Sequence, residues 1–271
     1  MNSVRALHGN NHKQDYHVVS FSGGKDSTAM LLRMVELGIK IDMIIFCDTG
    51  IEFDEMYRHI KKVGDYIGLP ITTLQAKYSF EHLLLDHVVT KRNGEKVCGY
   101  SFPTSRIRWC TSKLKIDVFN KHIKKLEQKY NVIRYVGIAF DERHRIKDFR
   151  YPLVEWGWTE KDCLNYCYKK GFDFGGLYEI FNRVSCWCCP LQPLSELRKL
   201  RKYFPEKWEL LLDYQSKTWR TFKPTFSVQE LEIRFQLEEE RESQGLTINS
   251  RTKEFRNALD EVLTKNKGGR K

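Results

Sequence analysis

Two short stretches of this sequence hold residue types whose spacing can do chemistry. The first is Ser22-Gly23-Gly24-Lys25-Asp26-Ser27, with Ser20 just before it and Thr28 just after. Its glycines permit backbone dihedrals closed to other residues and let N–H groups approach a ligand. A helix starting behind them would present unpaired N–H donors and a partial positive charge, which suits a phosphate. Lys25 adds a full charge at the same place. The spacing is not that of a Walker A loop, which keeps four residues between its first Gly and Gly-Lys. The bland alternative is a Gly-rich strand–helix turn that carries a lysine by chance. The second stretch is Cys186-Trp187-Cys188-Cys189-Pro190, in which Cys186 and Cys189 form a Cys-x-x-Cys pair followed by proline. That spacing lets two thiolates reach one metal centre. Two ligands do not complete a site. Cys110, in Arg108-Trp109-Cys110-Thr111, is the first candidate for a third, and Cys98 or Cys188 for a fourth. Zinc and a [4Fe–4S] cluster both fit this number of thiolates, and the competing reading is that they are small buried apolar residues.

The elements that must position these residues follow from apolar patterning. Val18 and Val19 lead as a β-branched run into the loop, and apolar residues at helical spacing from Ala29 to Val35 follow, ending near Gly38. The segment therefore reads as strand, loop, helix. Ile41 to Phe46 is almost wholly apolar, as a buried parallel strand is. It leads to Asp48 and Thr49 at a strand's carboxyl end, where open α/β sheets place ligands. A helix over 53–67 closes at Gly68, a third strand covers Ile71 to Leu74, and Ser79 is set to cap the next helix. Residues 87–110 break the rhythm as a polar, basic loop with Asn93-Gly94, Gly99 and Pro103 as turn signals. A helix over 111–130 and a strand over 132–138 come next. Thr159 is a candidate N-cap, with Asp162 at the third position of a helix through Lys169. Cys163 and Cys167 are four apart on that helix and read as core, and Cys47 reads as packing at a strand end. From Ser195 onward the pattern is helical. The fold class expected is α/β: a doubly wound, mostly parallel sheet with an appended helical C-terminal region. Residues 1–14 read as a flexible tail, 15–193 as the catalytic domain, and 194–271 as the helical region with a basic end.

Bulk properties narrow the partners. The chain has 271 residues and a net charge of +11. That favours a polyanion or an anionic nucleotide. Between Lys91 and Lys125 ten Lys/Arg face two acidic residues. This stretch is either a solvated surface or a basic face that guides a nucleic acid, tRNA or DNA. No apolar run is long enough for a membrane span, and no signal-peptide pattern opens the chain. Eight cysteines without such a signal argue for reduced thiols or metal ligands in a cytoplasmic protein. The eight histidines show no metal-ligand spacing.

The Ser22–Ser27 loop resembles the PP-loop of the ATP pyrophosphatases, which cut ATP between the α and β phosphates and transfer AMP. Four further segments point the same way: Asp48 to Phe53, Arg108 to Lys115, Tyr135 to Arg143, and Trp158 through Tyr178 to Pro190. Over about 17–193 the chain resembles the phosphoadenosine phosphosulfate reductase family in the broad sense. That family includes the small subunit of sulfate adenylyltransferase and the ATP-dependent enzyme of DNA phosphorothioation systems. True reductases of the family lose this form of the loop and carry a later catalytic cysteine, whereas here the loop is intact and no cysteine follows Cys189. The cysteine pattern resembles the phosphorothioation enzymes best.

The resemblance implies ATP and Mg²⁺ as cofactors, with Ser20, Ser22, Gly23, Gly24, Lys25, Asp26, Ser27, Thr28, Asp48 and Thr49 around the nucleotide. Asp26 and Asp48 are the implied Mg²⁺ holders, and Lys25, Arg108, Lys113 and Arg143 the groups that steady phosphate charge. Cys110, Cys186 and Cys189 would hold a [4Fe–4S] cluster, with Cys188 or Cys98 in reserve and Zn²⁺ as the alternative. The reaction implied is adenylation of a substrate oxygen followed by sulfur transfer to a nucleic acid or nucleotide, with a sulfur-donor protein as partner. Other readings are reduction of phosphoadenosine phosphosulfate or sulfate adenylylation, an adenylating ligase or amidase with structural zinc, and a nucleotide-switched nucleic-acid-binding module.

Overall fold

A computed structural model describes residues 13–184 and 186–268. The tail expected over 1–14 and the last residues of the basic end lie mostly outside this range. The chain opens with β1 (Asp15–Ser20), α1 (Lys25–Glu36), β2 (Met43–Asp48), α2 (Asp54–Ile67) and β3 (Ile71–Gln75). Next come α3 (Phe80–Leu85), β4 (Val88–Thr90), β5 (Lys96–Cys98), α4 (Asp117–Glu127) and β6 (Asn131–Val136). The rest is helical: α5 (Glu160–Lys169), α6 (Leu194–Tyr203), α7 (Pro205–Lys217), α8 (Val228–Ser243) and α9 (Lys253–Gly268).

By contacts the chain divides into two compact units. One holds the chain up to Lys77 with Thr111–Glu179, the other Tyr78–Cys110 with the chain from Ile180. This division groups the 78–110 insertion with the C-terminal helices, a different partition from a boundary at 193.

The first unit is built on a four-stranded sheet in the order β3-β2-β1-β6, parallel throughout. Val19 lies between Ile44 and Tyr135 in register. Val18, Val19, Ile44 and Ile45 are buried, which is why these strands read as continuous apolar runs. Helices cover both faces. Ile123 of α4, with Phe119 and Leu126, packs on Val18 and Ile45, while α1 packs against α2 and α5. The chain steps from β1 to β3 in one direction, then returns to place β6 on the other side of β1. The carboxyl ends of β1 and β6 therefore flank a topological switch point, the usual ligand crevice of such sheets. One further residue extends the sheet, since Val136 N–H donates to Arg150 O at 3.0 Å and Arg150 N–H to Arg134 O at 2.9 Å.

The helix starts follow the expected chemistry. Ser79 Oγ accepts from His82 N–H at 3.1 Å, and Thr159 with Asp162 forms a reciprocal capping box. Two local expectations need correction. The 87–110 stretch is not loop throughout, because Val88–Thr90 and Lys96–Cys98 pair antiparallel around an Asn93-Gly94 turn. Three-residue strands give too little alternation to register as a pattern. The helix expected over 111–130 opens with a wider π turn over Ser112–Ile116 before α4 becomes regular.

In the second unit α6 to α9 close over Leu197, Leu200, Leu211, Leu231, Phe235 and Phe255. The buried Glu238 carboxylate is matched by Arg198 and Arg234, the pairing a buried charge requires. Among the described residues no helix is long and apolar enough to cross a membrane.

Candidate functional site

β1 hands the chain to the loop. Phe21 N–H still bonds Ile45 O at 2.9 Å, and the backbone then turns through Gly23 at φ +78°. A Cβ on Gly23 would stand 2.6 Å from Met56 Sδ, so the turn needs glycine for both conformation and space. The hydroxyls of Ser22 and Ser27 lie 3.0 Å apart, and Ser27 Oγ also donates to Gly24 O at 3.0 Å. Thr28 Oγ1 lies 3.0 Å from His59 Nε2. His59 is buried, and burial with the charge of Lys62 pushes its pKa down to about 4, so the ring under the loop is neutral. Lys25 N–H donates to Tyr178 OH at 3.0 Å. On the other side Gly137, just past β6, lets the loop come close, because a Cβ there would meet Ser27 Cα at 2.7 Å. The start of α1 is thus braced from three elements.

The charges converge beside this start. The buried Lys25 Nζ is 2.8 Å from Glu160 Oε2 and 3.4 Å from Asp26 Oδ2. Asp26, Glu142 and Glu160 bring carboxylate oxygens within 4.8 Å of one another. Asp26 Oδ1 is buried with no hydrogen-bond partner among the described residues. Burial is the main reason the Asp26 pKa rises to about 6, with Glu160 and Glu142 adding to it and Lys25 opposing. Burial works against the Lys25 charge too, yet Asp26 and Glu160 hold its pKa above the usual lysine value. Glu160 opens α5, and its N–H donates to the Asp141 carboxylate at 3.2 Å. Glu142 comes from the 3₁₀ turn Phe140–Arg145 that follows β6 and pairs with Arg145.

The sequence candidates separate here. Asp48 stands at the end of β2 but outside the carboxylate group. Its oxygens accept from Gly50 N–H at 2.8 Å, Tyr57 OH at 2.7 Å and Gln75 Nε2 at 2.8 Å. Buried Thr49 donates to Glu52 Oε1 at 3.1 Å. Arg143 lies in the Phe140–Arg145 turn with its guanidinium over the Phe140 ring at 4.6 Å. Lys113, on the π turn, pairs with Asp117 at 3.2 Å. Glu142, Glu160, Tyr178, His59 and Gly137 also stand at the loop without having been site candidates, although all but His59 lie in segments that carry the family resemblance. Glu160 directly follows the recognisable Thr159 cap, but nothing in the sequence says which lysine it meets.

A cleft of about 800 Å³ opens at the carboxyl ends of β1, β2 and β6. Ser20, Ser22 and Ser27 line it on the loop side, Phe46 and Cys47 on β2, and Val136 and Gly137 on β6. Its size and largely apolar walls suit a small organic ligand with a few polar anchors.

The thiols of the second unit form no disulfides. Cys186 to Pro190 makes a turn closed by Cys189 N–H on Cys186 O at 3.2 Å. Gln192 Nε2 donates to Cys186 O at 2.8 Å, and Lys223 Nζ to Pro190 O at 2.5 Å. Burial pushes the Cys189 thiol up. Cys110 beside it adds to the shift, while the Leu191 backbone N–H, Arg108 and Lys223 oppose it. Cys110, Arg108 and Lys223 thus all lie within electrostatic reach of Cys189. Cys188 is fully buried near Tyr214, whose ring stacks with Trp187. Cys98 is exposed at the end of β5. Back in the first unit, Cys163 and Cys167 are buried core, as their spacing indicates.

Comparison with known proteins adds the family. The profile described as "Phosphoadenosine phosphosulfate reductase domain" matches residues 16–192. Two uncharacterized proteins of Methanocaldococcus jannaschii are similar. MJ0066 is 31% identical over 217 residues, 71% of this chain and 40% of its own length. MJ0973 is 26% identical over 204 residues, 70% of this chain and 46% of its own length. The chain thus spans less than half the length of these curated relatives. Among solved structures, the phosphoadenylyl-sulfate reductase of Candida auris in its phosphate complex aligns with a TM-score of 0.47 at 16% identity, covering 65% of this chain and 83% of that one.

Proposed function

The chain belongs to the phosphoadenosine phosphosulfate reductase domain family, and from that membership and its intact Ser22–Ser27 loop we propose that it is a PP-loop ATP pyrophosphatase. In this reading it adenylates a substrate oxygen for sulfur transfer to a nucleic acid or nucleotide. The observation that carries it is the placement of Lys25 at the head of α1 beside three carboxylates, on a loop whose Ser22 and Ser27 line the cleft at the switch point.

The base and ribose of ATP occupy the cleft and its phosphates meet the α1 N-terminus. Ser22, Ser27 and the loop N–H groups hold the phosphate oxygens. The substrate oxygen attacks the α phosphorus, the bond to the α–β bridging oxygen breaks, and pyrophosphate leaves with Lys25 balancing its charge. Arg143 and Lys113 are the further cations of this unit that steady phosphate charge. AMP is left on the substrate oxygen, and a sulfur nucleophile later displaces it.

Mg²⁺ fits the residues present, because the Asp26, Glu142 and Glu160 oxygens are hard donors and Asp26 Oδ1 lacks a partner. When bound it neutralises phosphate charge. Asp48, with three hydrogen bonds of its own, is the weaker candidate. In the second unit Cys110, Cys186 and Cys189 would hold a [4Fe–4S] cluster or zinc, with Arg108 and Lys223 nearby to favour thiolates. A cluster supplies a binding place for sulfur, and zinc a structural tie. Nucleic acid is the acceptor class favoured by the charge of +11. Exposed Lys121, Lys124 and Lys125 on α4 support it in one unit. Exposed Arg92 and Lys96 on the hairpin, with Lys91 and Arg220 over the Trp219 ring at 4.7 and 4.5 Å, support it in the other.

The test is anaerobic purification with assay of iron, labile sulfide and zinc, followed by incubation with Mg·ATP, sulfide and tRNA or DNA. Expected are equal yields of AMP and pyrophosphate that depend on the nucleic acid, and thiolated nucleotides after digestion. Absence of AMP with every acceptor overturns the reading. Colourless protein holding one zinc and forming AMP without thiolated product moves it to an adenylating ligase.

A further inference from the structure

The lysine that phosphate must recruit already has a strong partner. Lys25 Nζ lies closer to Glu160 Oε2, at 2.8 Å, than to its neighbour Asp26, at 3.4 Å. Its side chain is 9% exposed, so it is held in place rather than waving in solvent. Glu160 is equally fixed in position, as the first residue of α5 behind the Thr159–Asp162 box and with its N–H on Asp141. Yet its side chain is 41% exposed, so solvent and a solute can reach its carboxylate. Asp26 and Glu142 share the spot, and the three carboxylates outnumber the lysine. Among the described residues, Glu142 alone of the three has a further cationic partner, Arg145.

A bare triphosphate approaching α1 meets this excess of negative charge before it can reach Lys25. A phosphate chain that brings a divalent cation does not, because the cation gives the carboxylates something to face and frees Lys25 for the phosphates. We propose that Glu160 is a specificity-determining residue that makes the loop discriminate metal-bound from metal-free polyphosphate, by competing for Lys25 and repelling phosphate without a cation. The inference rests on the nucleotide reading above and adds to it a reason for the loop's selectivity. It also means that inorganic phosphate and metal-free nucleotide are poor occupants, so a basic loop does not become a general anion trap.

Equilibrium binding of α,β-methylene-ATP separates the possibilities, measured with Mg²⁺ and again with EDTA for wild type, Glu160→Gln and Glu160→Asp. Wild type should bind at least about tenfold tighter with Mg²⁺. Glu160→Gln should tighten the metal-free affinity about tenfold, the size expected for one like charge removed near phosphate at a partly solvated site. Glu160→Asp should keep the wild-type ratio. A residue that serves only as a metal ligand would instead weaken binding with Mg²⁺ and leave the EDTA value unchanged. One with a purely structural role would move both values alike. Either result, at matched melting temperature, overturns the gate while wild-type binding upholds the nucleotide reading. If wild type binds the analogue under neither condition, both fall together.

Discussion

The loop at the head of α1 and the turn at Cys186–Pro190 are both built from a contiguous motif, but they are held in opposite ways. The loop is braced by side chains from afar: His59 on α2, Tyr178, Glu160 on α5 and the close approach of Gly137. Most of its charge balance comes from residues more than a hundred positions away in sequence. The cysteine turn is held mainly through its own backbone, with Gln192 and Lys223 donating to carbonyls within it. Cys110, Arg108 and Lys223 reach it from more distant segments. The difference teaches that the loop is an electrostatic device tuned by long-range contacts, whereas the cysteine turn is a more local scaffold in which burial raises the Cys189 thiol. Variants should therefore affect the loop through charge and the turn through ligand loss.

The largest effect is expected at Lys25. Lys25→Ala should lower kcat/KM for AMP formation by about 10²–10³, the loss typical of one preorganised charge-stabilising group. Anaerobic iron content should not change. If AMP formation persists at the wild-type rate, the loop is not a phosphate site and the contrast with the cysteine turn fails at its root.

The second test runs the other way. Cys189→Ser and Cys110→Ser should each remove most of the bound iron or zinc and abolish thiolated product, with AMP formation kept within a few-fold. Cys188→Ser is the control. Cys188 is 1% exposed and close to Tyr214, so the expected cost is in stability, on the order of 1–3 kcal/mol for a more polar atom in a buried place. Metal content should stay near wild type. Metal loss in Cys188→Ser with retention in Cys189→Ser would reverse the assignment of ligand and core.

Legibility in the sequence follows the same line. The sheet was readable because Val18, Val19, Ile44 and Ile45 are buried on both faces and so form unbroken apolar runs. Helix starts at Ser79 and Thr159 were readable because capping is local chemistry. What escaped depends on which distant segments meet. Asp48 looked like a Mg²⁺ holder from its place at a strand end, yet its oxygens are committed to Gly50, Tyr57 and Gln75, and Glu142 and Glu160 stand beside Asp26 instead. The β4–β5 hairpin escaped although Asn93-Gly94 is a strong turn pair, because its strands have three residues each. Cysteine spacing does not tell that Cys188 is fully buried while Cys189 is only partly so.

A smaller effect tests the close approach at Gly137. In Gly137→Ala the new methyl would meet Ser27 Cα at 2.7 Å and Ser27 N at 2.8 Å, both backbone atoms that cannot swing away. The loop or the end of β6 must shift, at about 1–3 kcal/mol. Nucleotide affinity should fall together with the melting temperature, and metal content in the cysteine turn should not. Binding at wild-type strength would mean the loop tolerates displacement and is less tightly braced than its contacts imply.

The smallest effect is a pH dependence confined to the loop's unit. His59 is neutral when folded, with a pKa of about 4 against 6.5 unfolded. In the unfolded chain it takes a proton first as the solution is acidified. Its contribution to stability is therefore full above pH 6.5 and lost as the pH falls toward 4. At pH 5.5 the loss should be about 1 kcal/mol. Asp26 works in the opposite sense. With a folded pKa of about 6 against 3.8, its contribution is full below pH 3.8 and lost as the pH rises through 6, so the two partly offset between them. Replacing His59 by Gln, which keeps a hydrogen-bonding partner for Thr28 and cannot charge, should remove the acid-side loss and expose the Asp26 trend alone. Hydrogen exchange of the α1 amides between pH 5 and 7 reads this directly once corrected for intrinsic rates, because global melting would mix the two units. Equal acid sensitivity of α1 in wild type and His59→Gln would show that the imidazole under the loop is not what couples it to pH.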